Sequence, residues 1–283
     1  MLPSGKKEDV EISGKRLGFS IPMQTMFLHS RFLPSAAKPE HTVALLHAFP
    51  LSSVMWERMA AELQSLRDDT GLLLIDFPGF GGSPLRPRWN LALLPVEMRA
   101  TIERHTRRPV TIAGLSLGGY AAFDFFRLNA DLMRGLVLSN TRAEADSEEE
   151  KRGRAAFAED ALARGPEAAI DRLYSNFVTE ETEPEIAIDI RNWIMEAKPP
   201  AIAAALDAMA ERDDSRDILP LITIPSLVIS GERDVMMRTT NMRAMASALE
   251  DSSFVEIKGA AHLTAAEKPR EWAEALASFL DRL

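Results

Sequence analysis

The sequence predicts a three-layer α/β sandwich: a mostly parallel sheet of about eight strands, helices on both faces, and one all-helical insertion. Three observations carry this. Short apolar runs alternate with helix-like segments along most of the 283 residues, a glycine-flanked serine sits at a strand-to-helix junction, and the stretch from Arg142 to about Asp214 has no convincing strand. Strands alternating with helices indicate parallel pairing, because a parallel connection needs a crossover and the helix supplies it.

The elements follow in order. Residues 1–24 are polar and weakly patterned and read as an extension leading into an edge strand; Met26–Phe32 is the first strand candidate. Apolar strand runs then fall at about 42–46, 71–76, 109–114, 134–139, 224–230 and 253–258. Helix-like segments lie at about 54–66, 91–105, 117–129, 238–249 and 268–281. The insertion reads as three or four helices in series. Ser147-Glu148-Glu149-Glu150 is a capping-box pattern with acids in the first turn, where the helix dipole favours them. Pro166 and Pro184 sit where helices can begin, and Pro199-Pro200 interrupts the pattern after Ala197-Lys198. The expected organisation is a core of residues 1–141 and 215–283 with an insertion of 142–214. The acids 148–150 read as a solvated helix face and no metal site, since no histidine accompanies them.

Composition bounds the function. With 46% apolar residues the chain can bury a large core, and with no cysteine it can form no disulfide, thiolate metal site or cysteine nucleophile. The formal charge of −9 disfavours nucleic-acid backbones and anionic membranes as partners. No apolar run approaches the roughly 20 residues that a membrane helix needs. Lys6 and Lys7 have no apolar stretch behind them, which does not read as a secretory signal, so a cytoplasmic location is the expectation.

The candidate chemistry begins at Gly114-Leu115-Ser116-Leu117-Gly118-Gly119, which follows the run Pro109–Ala113 and opens the helix-like Tyr120–Phe126. A serine with glycine two residues away on each side is a nucleophile elbow: a sharp turn lifts the hydroxyl above the sheet, and close neighbouring chain leaves no room for larger side chains. A nucleophilic serine needs a base, and the base needs a carboxylate to fix its tautomer. His262 follows the strand Ser253–Ile257, and Asp234 follows the strand Ser226–Ser230. Glu232, two residues before Asp234, is an alternative acid that the sequence leaves open.

The order Ser116…Asp234…His262, each after a strand, resembles the α/β-hydrolase fold superfamily, as do two further segments. His47-Ala48-Phe49-Pro50 after the strand at 42–46 is similar to the superfamily's His-Gly-x-Pro loop, with Ala48 in place of glycine. Asp76-Phe77-Pro78-Gly79-Phe80-Gly81-Gly82-Ser83 resembles its Asp-x-Pro-Gly-x-Gly-x-Ser turn, which gives Asp76 a structural role. The resemblance runs from about residue 25 to the end and implies that the backbone N–H groups of Phe49 and Leu117 form an oxyanion hole, contributing about 3–4 kcal/mol. His47 is expected to brace its loop.

The same resemblance makes the insertion a cap over the site. With the run Gly259-Ala260-Ala261-His262-Leu263, it points to small carboxylesterases and enol-lactonases of the 3-oxoadipate enol-lactonase type. It implies a serine hydrolase that cleaves a small, largely uncharged carboxylic ester or lactone through an acyl-enzyme, with no cofactor and no metal. A carbon–carbon bond hydrolase, a perhydrolase and a non-catalytic ligand binder would carry the same residues and stay open, as does the choice between monomer and homodimer. Trp193 and Met236 are the candidate substrate-pocket residues, while Tyr174, Phe177, Ile194 and Met209 are expected to pack. His29, His41 and His105 belong to no ligand-spaced cluster in the sequence.

Overall fold

The computed structural model describes residues 27–283, together with two short strands before them, β1 (Glu11–Ile12) and β2 (Lys15–Arg16), which pair only with each other. Most of the extension at 1–24, and Met26 of the first strand candidate, lie outside the described residues. The main sheet has seven strands, one fewer than about eight: β3 (Ser30–Leu33), β4 (His41–Leu46), β5 (Thr70–Ile75), β6 (Val110–Leu115), β7 (Met133–Ser139), β8 (Ser226–Gly231) and β9 (Ser252–Ile257). Their order in space is β3-β5-β4-β6-β7-β8-β9. Only β3 runs antiparallel, beside β5 at the edge. The central strands β5, β6 and β8 are buried along their whole length, which is why they read as continuous apolar runs rather than alternating ones.

Connectivity distributes the helices. From β4 the chain passes through α1 (Glu57–Leu66) to β5 on one side, then through α2 (Leu94–Glu103) to β6 on the other. Right-handed crossovers running in opposite directions put their helices on opposite faces. α3 (Leu117–Asn129) and α8 (Thr239–Ala248) continue in the second direction and share the face of α2. The short α9 (Thr264–Glu267) and then α10 (Pro269–Leu280) follow β9, and α10 returns to pack on α1. Trp56 meets Trp272 there edge to face, ring centres 5.2 Å apart, and the Trp272 indole N–H donates to Ser139 Oγ. The direction of winding reverses at β4, and the crevice outside the carboxyl ends of β4 and β6 is where such sheets bind ligands.

Between β7 and β8 the chain forms α4 (Glu148–Arg164), α5 (Glu167–Phe177), α6 (Pro184–Met195) and α7 (Pro199–Ala210). The capping box forms: Ser147 Oγ accepts from the Glu150 N–H and the Glu150 carboxylate accepts from the Ser147 N–H. Pro184 and Pro199 each occupy a first helical position, and Pro166 caps α5. The base of this insertion is fastened by a buried charge cluster. Asp146 accepts from Arg142, Arg154 and Arg212, and the Arg212 guanidinium also lies 4.1 Å over the Tyr120 ring. Burial alone would raise the Asp146 carboxyl, but the arginines outweigh it and bring it down to about 2.

Candidate active site

Ser116 stands between β6 and α3 at φ 56° and ψ −112°, a left-handed conformation unusual for a residue with a side chain. The flanking glycines explain how the chain tolerates it. A Cβ on Gly114 would collide with the Gly118 carbonyl, and one on Gly118 would collide with the Leu46 carbonyl of β4. The elbow is therefore wedged between its own helix and the neighbouring strand. Leu117 is the first residue of α3, where a backbone N–H has no carbonyl one turn back to bond. Phe49 follows β4 beside it. Ala48 is fully buried yet its φ is not positive, so glycine is not required there.

His47 braces this loop. Its Nε2 accepts from the Phe77 N–H at 2.9 Å, so Nδ1 carries the proton and donates to the Ala48 carbonyl at 2.9 Å. Burial depresses its pKa, which keeps the ring neutral as that pattern demands. Asp76 has the structural role expected of it. Oδ1 accepts from the Ser53 N–H, and Oδ2 accepts from the Gly82 N–H and faces His29 Nδ1 at 2.7 Å.

Asp234 and His262, from the loops after β8 and β9, meet at 2.8 Å through Oδ2 and Nδ1; both are almost wholly buried. The remaining acceptor positions of Asp234 are filled. Asn140 Nδ2 donates to Oδ2 at 2.8 Å, and the Met236 and Met237 N–H groups donate to Oδ1. Burial works to raise this carboxyl, but the histidine and these donors outweigh it and hold it below its ordinary value. In the neutral ring, Asp234 accepts from the Nδ1–H and the lone pair is left on Nε2. Glu232 instead pairs with Lys258 and accepts from the Gly259 N–H.

Asn140 links the two halves. It lies at the end of β7 with φ 45°, and its Oδ1 accepts from the Thr264 hydroxyl. On either side of it, Ser139 O accepts from the Ser116 N–H at 2.9 Å and the Thr141 hydroxyl donates to Ser116 O at 2.8 Å. Ser116, Asn140, Asp234 and His262 thus occupy adjoining ends of β6 through β9. Ser116 itself is 9% exposed and His262 1%.

The inserted helices reach this site through two phenylalanines. Phe177 at the end of α5 stacks on the His262 ring, centres 5.5 Å apart and planes 11° apart. Phe157 of α4 meets Phe49 edge to face at 6.0 Å. Phe177 was expected only to pack. Trp193 is half-buried against the core, and none of the aromatic ring pairs that reach the site among the described residues involves it. Met236 takes part through its backbone, and the residue is 38% exposed. Asn140 and Glu267 were not anticipated. In the sequence the first closes an apolar run with Ser139 and Thr141, and the second reads as an ordinary acid before Lys268-Pro269.

One histidine departs from its sequence reading. Glu40, His41 and Asp69 offer donor atoms within 4.8 Å of one another, because the ends of β4 and β5 lie in register. The Arg67 guanidinium covers both oxygens of Asp69, and burial, with Arg134 and Arg67 nearby, lowers the His41 pKa. This is a positively screened group at the opposite end of the sheet from Ser116. No helix among the described residues is long and apolar enough to cross a membrane.

Comparison with known proteins matches residues 43–275 to the model of the alpha/beta hydrolase family. This chain belongs to that family. The hydrolase expected from the sequence is therefore what the comparison returns. A thermophilic esterase from Thermogutta terrifontis, solved with malate bound, superposes with a TM-score of 0.84 at 32% identity, covering 90% of this chain and 94% of that one. A pimeloyl-[acyl-carrier protein] methyl ester esterase from Chromobacterium violaceum is 24% identical over 84% of this chain and 94% of its own length. The enol-lactonase from Burkholderia xenovorans shares the fold, with a TM-score of 0.78 at 24% identity over 90% of this chain and 96% of that chain.

Proposed function

We propose that this hydrolase cleaves a small, largely uncharged carboxylic ester or lactone through an acyl-enzyme on Ser116. The observation that carries the reading is the buried Asp234–His262 pair at the strand ends adjoining an elbow serine with φ 56°. His262 Nε2 takes the Ser116 proton as Oγ attacks the carbonyl carbon, and Asp234 stabilises the resulting imidazolium. The Phe49 and Leu117 N–H groups receive the developing oxyanion, worth about 3–4 kcal/mol in such sites. His262 then protonates the leaving alkoxide. In the second half, His262 takes a proton from water, hydroxide adds to the acyl carbon, and Ser116 leaves as the protonated alcohol.

The helices of 142–214 act as a cap in this reading. Phe49, Phe157 and Phe177 supply an aromatic, uncharged surround for the acyl group, which is what favours an uncharged substrate. The esterase names of the Thermogutta and Chromobacterium relatives support an ester as the bond cleaved. A panel of p-nitrophenyl esters and simple lactones tests it: turnover is expected for short to medium acyl groups, with background rates in Ser116→Ala. Turnover that survives Ser116→Ala would overturn the assignment.

A further inference from the structure

Glu267 is a buried carboxylate, 3% exposed, that the proposed mechanism does not use. It sits five residues beyond His262, and its two oxygens reach back around that histidine. Oε2 accepts from the Ala261 N–H at 3.1 Å and Oε1 from the Leu263 N–H at 3.1 Å. One side chain therefore holds the N–H groups of the residues on both sides of His262. Oε2 also accepts from the Thr182 hydroxyl at 3.0 Å, and Thr182 belongs to the turn between α5 and α6.

That turn is bound to the His262 loop at three points. Thr182 Oγ1 accepts from the Thr179 N–H at 2.8 Å, which directs its own proton to Glu267. The Thr179 hydroxyl donates to the Gly259 carbonyl at 3.1 Å, three residues before His262. Phe177, at the start of the turn, stacks on the imidazole. Ring, loop and cap are thus held as one unit, with Glu267 at its centre.

We propose that Glu267 is a positioning residue: its carboxylate sets the backbone that carries His262 and ties that backbone to the inserted helices through Thr182. The proposal rests on the reading of His262 as the base. Three donors converge on two oxygens, and a carboxyl group has the acceptor sites to satisfy them all. Burial opposes the charge and pushes Glu267 up to about 7, against the pull of those donors and of His262. A group that only filled space would need none of these partners; this one is buried with three donors on its two oxygens, which a role in orienting His262 explains.

The test measures kcat and KM on p-nitrophenyl butyrate in the full chain, with melting curves for every variant. Glu267→Gln keeps the shape but sets an amide NH2 against one of the backbone donors. We expect kcat to fall about 10- to 100-fold with KM within about twofold, since a small misplacement of the base costs the chemical step and not binding. Thr182→Val keeps the backbone clamp and loses the cap tether, so its kcat should fall less, about fivefold for one hydrogen bond. A Glu267→Gln enzyme with wild-type kcat, or one whose KM rises as much as kcat falls, would overturn the proposal. Should Glu267→Gln not fold, Thr182→Val decides alone, and a wild-type kcat there would overturn it. Ser116→Ala run in parallel separates the two readings: activity surviving in that variant overturns the serine mechanism, whatever Glu267 does.

Discussion

The serine side and the histidine side of the site are held by different physics. Around Ser116 the constraint is steric: Gly114 and Gly118 allow backbone to touch backbone, and a positive φ follows from that close approach. Around His262 the constraint is polar. Asn140 and the Met236 and Met237 N–H groups donate to Asp234, and Thr182 and the Ala261 and Leu263 N–H groups donate to Glu267, so four separate segments converge on two buried carboxylates. A steric site breaks by adding one atom. A polar site breaks by turning one acceptor into a donor while the shape stays the same.

The largest effect is expected on the polar side, from Asp234→Asn. An amide there can no longer hold the imidazole in the right tautomer, so kcat is expected to drop about 10⁴-fold with the melting temperature lowered by only a few degrees. Steady-state kinetics beside a thermal melt measures both. Gly118→Ala is the steric counterpart. Its Cβ meets the Leu46 carbonyl, which is backbone of a central strand and cannot yield, so stability should fall by about 3 kcal/mol or more in a urea titration. If Gly118→Ala instead kept full stability while losing activity, the elbow would not be sterically wedged.

Titration sharpens the contrast within the histidine side, where the two carboxylates respond in opposite senses. Asp234 is held below its ordinary value, so its contribution is present at neutral pH and lost only on acidification through that low folded value. Glu267 is raised from 4.5 to about 7, so the folded protein keeps a proton that the unfolded chain releases. Its contribution is fully present below about 4.5 and is lost as pH rises through about 7. Between pH 6 and pH 8 the wild type should therefore lose about 2–4 °C more in melting temperature than Glu267→Gln. Parallel slopes for the two proteins would contradict the raised value. The smallest expected effect lies away from both sides. Ser147→Ala breaks the capping box of α4 and should cost about 1 kcal/mol in stability while kcat stays unchanged.

Legibility in the sequence divides along the same line. The sheet was readable because parallel strands buried on both faces leave continuous apolar runs such as Leu72–Ile75 and Leu227–Ile229, and because Pro and Ser mark the helix starts at 147, 166, 184 and 199. The elbow was readable because its steric demand is local, and glycine at fixed offsets records it. The pairing of Asp234 with His262 was readable from chain order. Asn140, Glu267 and Thr182 were not, since a hydrogen bond spanning 85 or 94 residues leaves no periodicity and any polar residue at a strand end or helix start looks alike. Phe177 and Trp193 look alike in the sequence, because residue size says nothing about which helix end turns toward His262. His41 joined two carboxylates only once β4 and β5 were set in register.

An activated Ser116 should react with a fluorophosphonate, and the mass of the intact protein after treatment reads that reaction. One adduct on the wild type, absent from Ser116→Ala and slowed in Asp234→Asn, is the expected result. A folded, ester-cleaving enzyme that takes no adduct, or takes it equally in Ser116→Ala, would show that Ser116 is not the nucleophile.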